Sequence, residues 1–121
     1  MDKEFSLTTR VSFKDIHYDG KVVAGAHVLE LFGDAITGLA LMNDNDEGLL
    51  SKWENVNFYQ KVNPGDFLKV YARIVSSSRL KRNVEVNAWR VTGLKEYNGN
   101  NDLVADAKGT FVIPFVKAKG V

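Results

Sequence analysis

The amino-acid sequence predicts an α+β fold in which an antiparallel β-sheet wraps around one long central α-helix. Two patterns lead to this prediction. Apolar residues recur at helical spacing from Val22 to Met42, and the segments that follow alternate apolar with polar residues, as strands do. The chain has 121 residues, a length that suits one domain over residues 1–121.

The first strand and the helix are predicted from their periodicities. Residues 5–13 have an apolar or β-branched side chain at every second position, which is typical of a strand. A polar turn over residues 15–20 separates this strand from the helix. Within the helix the apolar spacings of three and four extend beyond one narrow stripe, so we expect a helix covered on most sides. The carboxamide and carboxylate residues 43–46 favour its end there.

Four further strands are predicted in the second half of the chain. Alternating side chains mark residues 56–62, 68–74 and 80–89, and the last strand covers residues 103–116. An antiparallel sheet curled around the helix accommodates this order of one strand, a long helix and then four strands. Such a sheet has an exposed edge, so we expect two copies to pair into a homodimer through it.

Composition excludes several classes of chemistry. The sequence has no cysteine, which excludes disulfides, thiolate catalysis and cysteine-ligated zinc. The net charge is +1 with both signs mixed along the chain, so no large basic surface for nucleic acid is expected. We expect no membrane span and no secretory signal, because we find no long apolar run and no apolar segment after Met1. These expectations place the protein in the cytoplasm.

The two histidines, His17 and His27, do not have the spacing of metal ligands, and no metal site is predicted. His17 lies in the polar turn before the helix, where catalytic groups often occur, although a single turn histidine more often faces solvent. His27 falls inside the helical pattern, and for it a packed or solvated role is favoured.

Asp34 is a carboxylate within an apolar part of the helix. If it were buried in a ligand site, it would suit a general base. If instead it lies on the one exposed strip of the helix, it shares that strip with Glu30, four positions earlier. Periodicity leaves both alternatives open.

Two groups of residues are candidates for binding a substrate. Gly25 and Ala26 begin the helix, and small residues there allow a carbonyl oxygen to approach the backbone N–H groups at the positive helix end. Arg79, Lys81 and Arg82 form a basic cluster that can hold phosphates, although such clusters are more often solvated strand edges.

Several motifs follow one another in an order that resembles a known family. In chain order they are Asp15-x-His17-Tyr18-x-Gly20, Val23-x-Gly25-Ala26, Phe32-Gly33-Asp34-x-x-Thr37, Asp44-x-Asp46-Glu47-Gly48-Leu49, Val56-x-Phe58, Val62 and Gly65-Asp66-Phe67. Together they resemble the hotdog-fold 3-aminobutyryl-CoA and β-alanyl-CoA ammonia-lyases. The matches run from about Ser12 to Trp89.

The resemblance implies a fold, an activity and an assembly. The implied hotdog fold is a helix wrapped by an antiparallel sheet. The implied reaction is the reversible removal of ammonia from a 3-aminoacyl-CoA such as 3-aminobutyryl-CoA, giving a 2-enoyl-CoA such as crotonyl-CoA. It implies a role in amino-acid fermentation, including lysine degradation, with no cofactor beyond the CoA of the substrate. It also implies homodimers or assemblies of dimers with active sites between subunits.

The resemblance also assigns candidate site residues. Asp34 is the hypothetical base or ammonium anchor, and His17, Tyr18 and Asp15 are its polar partners. Thr37, in the same motif as Asp34, joins the substrate-binding candidates, which are Gly25, Ala26, Thr37, Arg79 and Arg82.

The sequence departs from the family pattern at three positions. One is Lys61, where a proline is usual, and the other two keep alternatives open. Gly38 stands where the family usually has a glutamate, and Asn57 where an acidic residue is usual. Gly38 indicates that space is needed in the helix, and a larger acyl group is one candidate for it. The same fold also serves acyl-CoA thioesterases, and a non-catalytic acyl-CoA binder is the third alternative.

Overall fold

The computed structural model describes residues 4–12, 16–17, 22–23, 25–92 and 102–114. Its order of elements is β1 (Glu4–Arg10), β2 (Ile16–His17), β3 (Val22–Val23), α1 (Gly25–Asp44), β4 (Leu49–Phe58), β5 (Phe67–Ser77), β6 (Lys81–Thr92) and β7 (Asp102–Val112). The predicted order of a strand, a long helix and four strands is confirmed.

Five strands form one antiparallel sheet in the order β1-β5-β6-β7-β4, so β1 and β4 are its edges. The predicted alternation decides which side chains face the helix. On β5 and β6 the cross-strand pairs Val70–Ala88 and Ala72–Val86 are buried. They belong to a single hydrophobic cluster with the buried residues of α1.

Several predicted boundaries are wrong. The strands predicted to end at residues 62 and 116 end at Phe58 and Val112, and two elements begin elsewhere than predicted. The helix begins at Gly25 and not at Val22, because Val22–Val23 pairs as the short strand β3 with β2. The strand predicted to begin at residue 56 is β4, and it begins at Leu49. The residues of β4 before residue 56 are mostly exposed. Exposure on both faces conceals the alternation by which a half-buried strand is recognised.

Helix α1 buries one side and leaves a strip exposed. Its buried residues are Val28, Leu31, Phe32, Ala35, Ile36, Leu39 and Ala40. By length and composition alone the helix could cross a membrane, contrary to our expectation that no such segment exists. The core helix of a folded domain has the same length and composition, and α1 packs against β1, β5 and β6.

Gly38 is the point at which β1 packs most closely on the helix. A Cβ atom added there would overlap the aromatic ring of Phe5. The space that Gly38 provides is therefore filled by Phe5 of the same chain, and the suggestion that an acyl group occupies it is wrong.

The turn between β4 and β5 is held by a buried ion pair. Asp66 is 4% exposed, and its Oδ2 accepts hydrogen bonds from the Asn63 backbone N–H at 2.9 Å and from Arg90 Nη1 at 2.8 Å. Gly65 has a φ of 91°, which favours glycine. The Gly65-Asp66 motif thus has a structural role in this chain.

A polar cluster lies on the face of the sheet opposite α1. The Tyr59 hydroxyl donates to the Asp106 carboxylate at 3.1 Å, and Asn57 Nδ2 donates to Asp106 Oδ1 at 3.1 Å. The pairing of β4 with β7 is irregular between Glu54 and Asn57, where β4 has a bulge. An open cavity of about 330 Å³ lies beside the bulge, and Asn57 and Asp106 help to line it. Partial burial of Tyr59, with its hydrogen bond to Asp106 and the charge of that carboxylate, raises the pKa of the phenol above 10.0.

We predict that Gly38→Ala destabilises the protein, because the added methyl group must displace Phe5. The expected loss is about 1–3 kcal/mol of unfolding free energy, despite the better helix propensity of alanine. In a Phe5→Ala background the same change should instead stabilise by roughly 0.5–1 kcal/mol. Urea unfolding at fixed protein concentration measures both values. If Gly38→Ala changed the free energy of unfolding equally in the two backgrounds, the contact between Gly38 and Phe5 would be contradicted.

We predict that Asp106→Asn lowers the pKa of Tyr59, since it removes the negative charge that opposes ionisation of the phenol. Absorbance at 295 nm between pH 8 and 13 follows phenolate formation, and the Tyr59→Phe variant identifies the contribution of this residue. A Tyr59 titration unaffected by the Asp106 change would contradict this assignment.

Candidate active site

The first turn of α1 forms one part of the candidate site. The helix begins at Gly25, and the N–H groups of its first turn have no acceptor within the helix. The ring of Phe58, at the end of β4, lies against Gly25: a Cβ atom added there would be 3.1 Å from Phe58 Cζ. Phe58 is 50% exposed. The helix start therefore presents backbone donors beside a half-exposed aromatic wall.

The exposed strip of α1 forms the other part. Ala26, Glu30, Asp34 and Leu41 are exposed along it, and Thr37 is half-buried. Of the two alternatives left open for Asp34, the single chain shows the exposed strip shared with Glu30. Three of the predicted site residues, Ala26, Asp34 and Thr37, therefore lie on one face of the helix.

The two parts are well separated within one chain. Ala26 and Asp34 are eight residues apart, which corresponds to about 12 Å along a helix. Both face the same side, but a small reacting group cannot touch the helix start and the Asp34 carboxylate of one chain together.

The structure places His17 in a short strand and not in the predicted polar turn. His17 is in β2 and pairs with Val22 of β3, which ends two residues before Gly25. The backbone therefore brings His17 into the segment that leads directly into α1. Asp15 and Tyr18 lie outside the described residues, and their roles stay predictions.

His27 has a partner on its own helix. Its Nδ1 atom lies 3.1 Å from Oε1 of Glu30, whose side chain is 76% exposed.

Within the described part of the chain, no three His, Asp or Glu side chains are grouped as a metal site would require.

Arg82 is engaged in an ion pair at the far end of the helix. Its Nη2 atom donates to Asp44 Oδ1 at 2.7 Å, and both side chains are nearly buried. Nη1 also donates to the carbonyl oxygens of Ser78 and Lys81. The ion pair ties the C-terminal end of α1 to β6, so a phosphate would have to compete with Asp44. Phosphate binding by Arg79 and Arg82 stays a prediction.

Phe58 is a residue of the candidate site that the sequence patterns do not single out. In the sequence it stands only as part of a motif, because its contact with Gly25 joins residues 33 positions apart. Exposed apolar side chains also accompany it on β4, with Leu49 65% and Leu50 45% exposed. The available signal was the presence of the apolar residues Leu49, Leu50 and Phe58 on a strand that otherwise carries mainly polar side chains.

Comparison with known proteins identifies the family. No protein-family model matches the chain. A 3-aminobutyryl-CoA ammonia lyase of Acetoanaerobium sticklandii is 36% identical over an alignment 118 residues long, and the match covers 89% of this chain and 92% of the relative. Among solved structures, the β-alanyl-CoA:ammonia lyase from Clostridium propionicum has a TM-score of 0.89 at 24% identity, covering 96% of this chain and 88% of its own.

Thioesterases share the same architecture. A hexameric thioesterase from Yersinia pestis has a TM-score of 0.82 at 17% identity, covering 88% of this chain and 85% of that one. These likenesses confirm the predicted hotdog fold, a helix packed against a five-stranded antiparallel sheet. Identity of 36% along nearly the whole length of both chains goes further, and shows that this chain belongs to the 3-aminobutyryl-CoA ammonia lyase family.

Proposed function

We propose that this protein catalyses the reversible elimination of ammonia from 3-aminobutyryl-CoA to give crotonyl-CoA. The observation that carries the proposal is the 36% identity to a 3-aminobutyryl-CoA ammonia lyase over 89% of the chain. The placement of Ala26, Asp34 and Thr37 on one exposed helix face supports it, because these residues can meet a ligand from outside the chain.

The chemistry requires help at the thioester carbonyl. The proton on the carbon next to the thioester is only weakly acidic, and its removal puts negative charge on the carbonyl oxygen. Backbone N–H groups of Gly25 and Ala26 at the positive end of α1 suit that developing oxyanion. The Phe58 ring beside Gly25 keeps water from one side of the donors, which strengthens their interaction with the oxyanion.

Asp34 is the proposed base. Its carboxylate takes the proton from the carbon next to the thioester, and the electron pair of that C–H bond forms the new double bond. The amine leaves in its protonated form: the C–N bond breaks, and its electron pair goes with the nitrogen, which departs as neutral ammonia. The polar residues His17, Tyr18 and Asp15 and the Thr37 hydroxyl would orient the amine or Asp34. No oxidation or reduction occurs, so we propose no cofactor beyond the CoA of the substrate.

The distance between the two parts of the site favours an assembly of two copies. The carbonyl oxygen and the carbon that loses the proton are two bonds apart, so their protein partners must lie close together. Ala26 and Asp34 of one chain are about 12 Å apart along the helix. We therefore propose that Asp34 of one subunit acts with Gly25 and Ala26 of the partner subunit.

The edge strand β4 supports the same assembly. It carries the exposed apolar side chains Leu49, Leu50 and Phe58, and an unpaired strand edge with apolar side chains is a surface for strand pairing. A homodimer, or an assembly of such dimers, would cover this surface and place the two helix strips beside each other.

We predict that Asp34→Asn lowers the rate of crotonyl-CoA formation by about 100-fold or more, since the amide cannot accept the proton. Loss of ultraviolet absorbance by the enoyl thioester on adding ammonia measures the reverse reaction. Glu47→Gln, an exposed carboxylate beyond the helix end, is the control and should keep full activity.

Detection of free thiol, measured beside the absorbance assay, separates the alternative activities. A thioesterase would release free CoA thiol, and a thiol reagent detects it without background because the protein has no cysteine. Near-normal turnover of Asp34→Asn would refute Asp34 as the base. Thiol release without amination would refute the lyase, and tight binding of CoA esters with neither product would indicate a binding protein.

We also predict complementation between two inactive variants. Ala26→Pro removes one backbone donor at a position where the first helical turn tolerates proline, and Asp34→Asn removes the base. If the site is shared between subunits, half of the randomly mixed dimers carry one site with both groups intact. Co-refolding the two variants should then restore about a quarter of wild-type activity. A mixture that stays inactive would place both groups of each site in one chain.

A further inference from the structure

We infer that Asp106 is a positioning residue for the reaction, because its carboxylate holds both residues that flank Phe58 and so keeps the Phe58 ring on the start of α1. This role rests on the proposed function, which places the developing oxyanion at that helix start. Asp106 itself touches no reacting atom, since it lies on the face of the sheet opposite α1 and acts through Phe58.

Phe58 stands between two side chains that bind the same carboxylate. Asn57 Nδ2 donates to Asp106 Oδ1 at 3.1 Å, and the Tyr59 hydroxyl lies 3.1 Å from both carboxylate oxygens. Side chains alternate between the two faces of a strand, so two neighbours held on the outer face turn Phe58 towards the helix. The strand register agrees, since Asn57 pairs with Asp106 and Phe58 pairs with the buried Ala105.

The main chain before this point is irregular. The register of β4 shifts between Glu54 and Asn57, and Asn55 has a φ of 51°, which is uncommon for a residue other than glycine. Asn57 Nδ2 also donates to the carbonyl oxygen of Asn55 at 2.9 Å. A slip of one residue after the bulge would turn Phe58 outward, and the hydrogen bonds to Asp106 oppose such a slip.

The negative charge of Asp106 suits it to hold two donors at once. An ionised carboxylate only accepts hydrogen bonds, and bonds to it are stronger than bonds to a neutral oxygen. No ion pair of Asp106 is found among the described residues, so its two neutral donors meet an acceptor that no cation occupies. An acidic side chain at position 57 would instead place a like charge beside Asp106.

The position of the Phe58 ring matters at the helix start. A Cβ atom added at Gly25 would lie 3.1 Å from Phe58 Cζ, so the ring contacts the first turn. There it keeps water from one side of backbone donors, whose interaction with an oxyanion weakens when water surrounds them. The oxyanion develops fully only in the transition state. Loss of the ring position should therefore lower kcat and leave KM for the CoA ester nearly unchanged.

A double-mutant cycle tests whether Asp106 acts through Phe58. Asp106→Asn keeps the size of the side chain but removes the charge and one acceptor oxygen, and we expect kcat to fall about 10-fold. Tyr59→Phe removes one donor and should lower kcat by a smaller factor. In a Phe58→Leu background, where the ring is absent, Asp106→Asn should change kcat less than about twofold. Glu54→Gln, a similar change on β4 before the bulge, is the control and should keep full activity.

Two kinetic outcomes would overturn the role of Asp106. If Asp106→Asn lowered kcat by the same factor with and without the Phe58 ring, the two residues would act independently. If Asp106→Asn raised KM and left kcat unchanged, the carboxylate would serve the binding of the CoA ester and not the oxyanion.

Amide hydrogen exchange reports the position of the ring without requiring activity. The ring covers the start of α1, so exchange over residues 25–28 should become about fivefold faster in Asp106→Asn and stay unchanged in Glu54→Gln. Faster exchange in a protein without lyase activity would support the hold of Asp106 on the ring and refute the reaction. Lyase activity with exchange and kcat unchanged in Asp106→Asn would support the reaction and overturn the inference.

Discussion

The packing of α1 along one face of the sheet is the constraint on which the candidate site depends. Three contacts hold the helix along its length. The Phe58 ring lies on Gly25 at its start, the Phe5 ring fills the space at Gly38, and Arg82 pairs with Asp44 at its end. A helix held at three points by close packing and a nearly buried ion pair has little freedom to shift or rotate. The backbone donors and Asp34 therefore have a defined separation and direction.

A single sheet can cover only one side of a helix, and this explains the form of the site. The covered side consists of large apolar residues such as Phe32 and Leu39, which are fully buried. The uncovered side carries Ala26, Glu30 and Asp34, which are small or charged. The residues that could take part in a reaction therefore face outward, and one chain alone does not enclose a substrate on this side of the helix. A shared site between two copies solves this problem without a change in the fold.

Two of the departures from the family pattern, Gly38 and Asn57, have structural partners in this chain. Gly38 accommodates Phe5, and Asn57 donates to Asp106 on the sheet face opposite α1. Neither residue takes part in the proposed contacts of Asp34 or of the helix start. The amide of Asn57 also avoids a second carboxylate beside Asp106, which would be unfavourable at this short distance. The departures are thus consistent with the lyase proposal and give no specific support to a non-catalytic binder.

Local patterns in the sequence determined most of the architecture. Periodicity of 3.6 in α1 and of two in β5 and β6 reflects burial on one side, and the order of the elements leaves few arrangements of an antiparallel sheet. The motif residues from Asp15 to Phe67 were sufficient to identify the family. The start of β4 was missed because a strand exposed on both faces lacks that periodicity.

Tertiary structure decided what periodicity could not. Whether Asp34 is buried or exposed depends on which side of α1 the sheet covers, and nothing local to the helix specifies that. The contacts of Phe5 with Gly38 and of Phe58 with Gly25 join residues about 33 positions apart, and Arg82 meets Asp44 across 38 positions. The sequence by itself therefore determined the fold class, the family and the candidate residues. Only the folded chain showed their exposure and separation, because both depend on long-range packing of side chains.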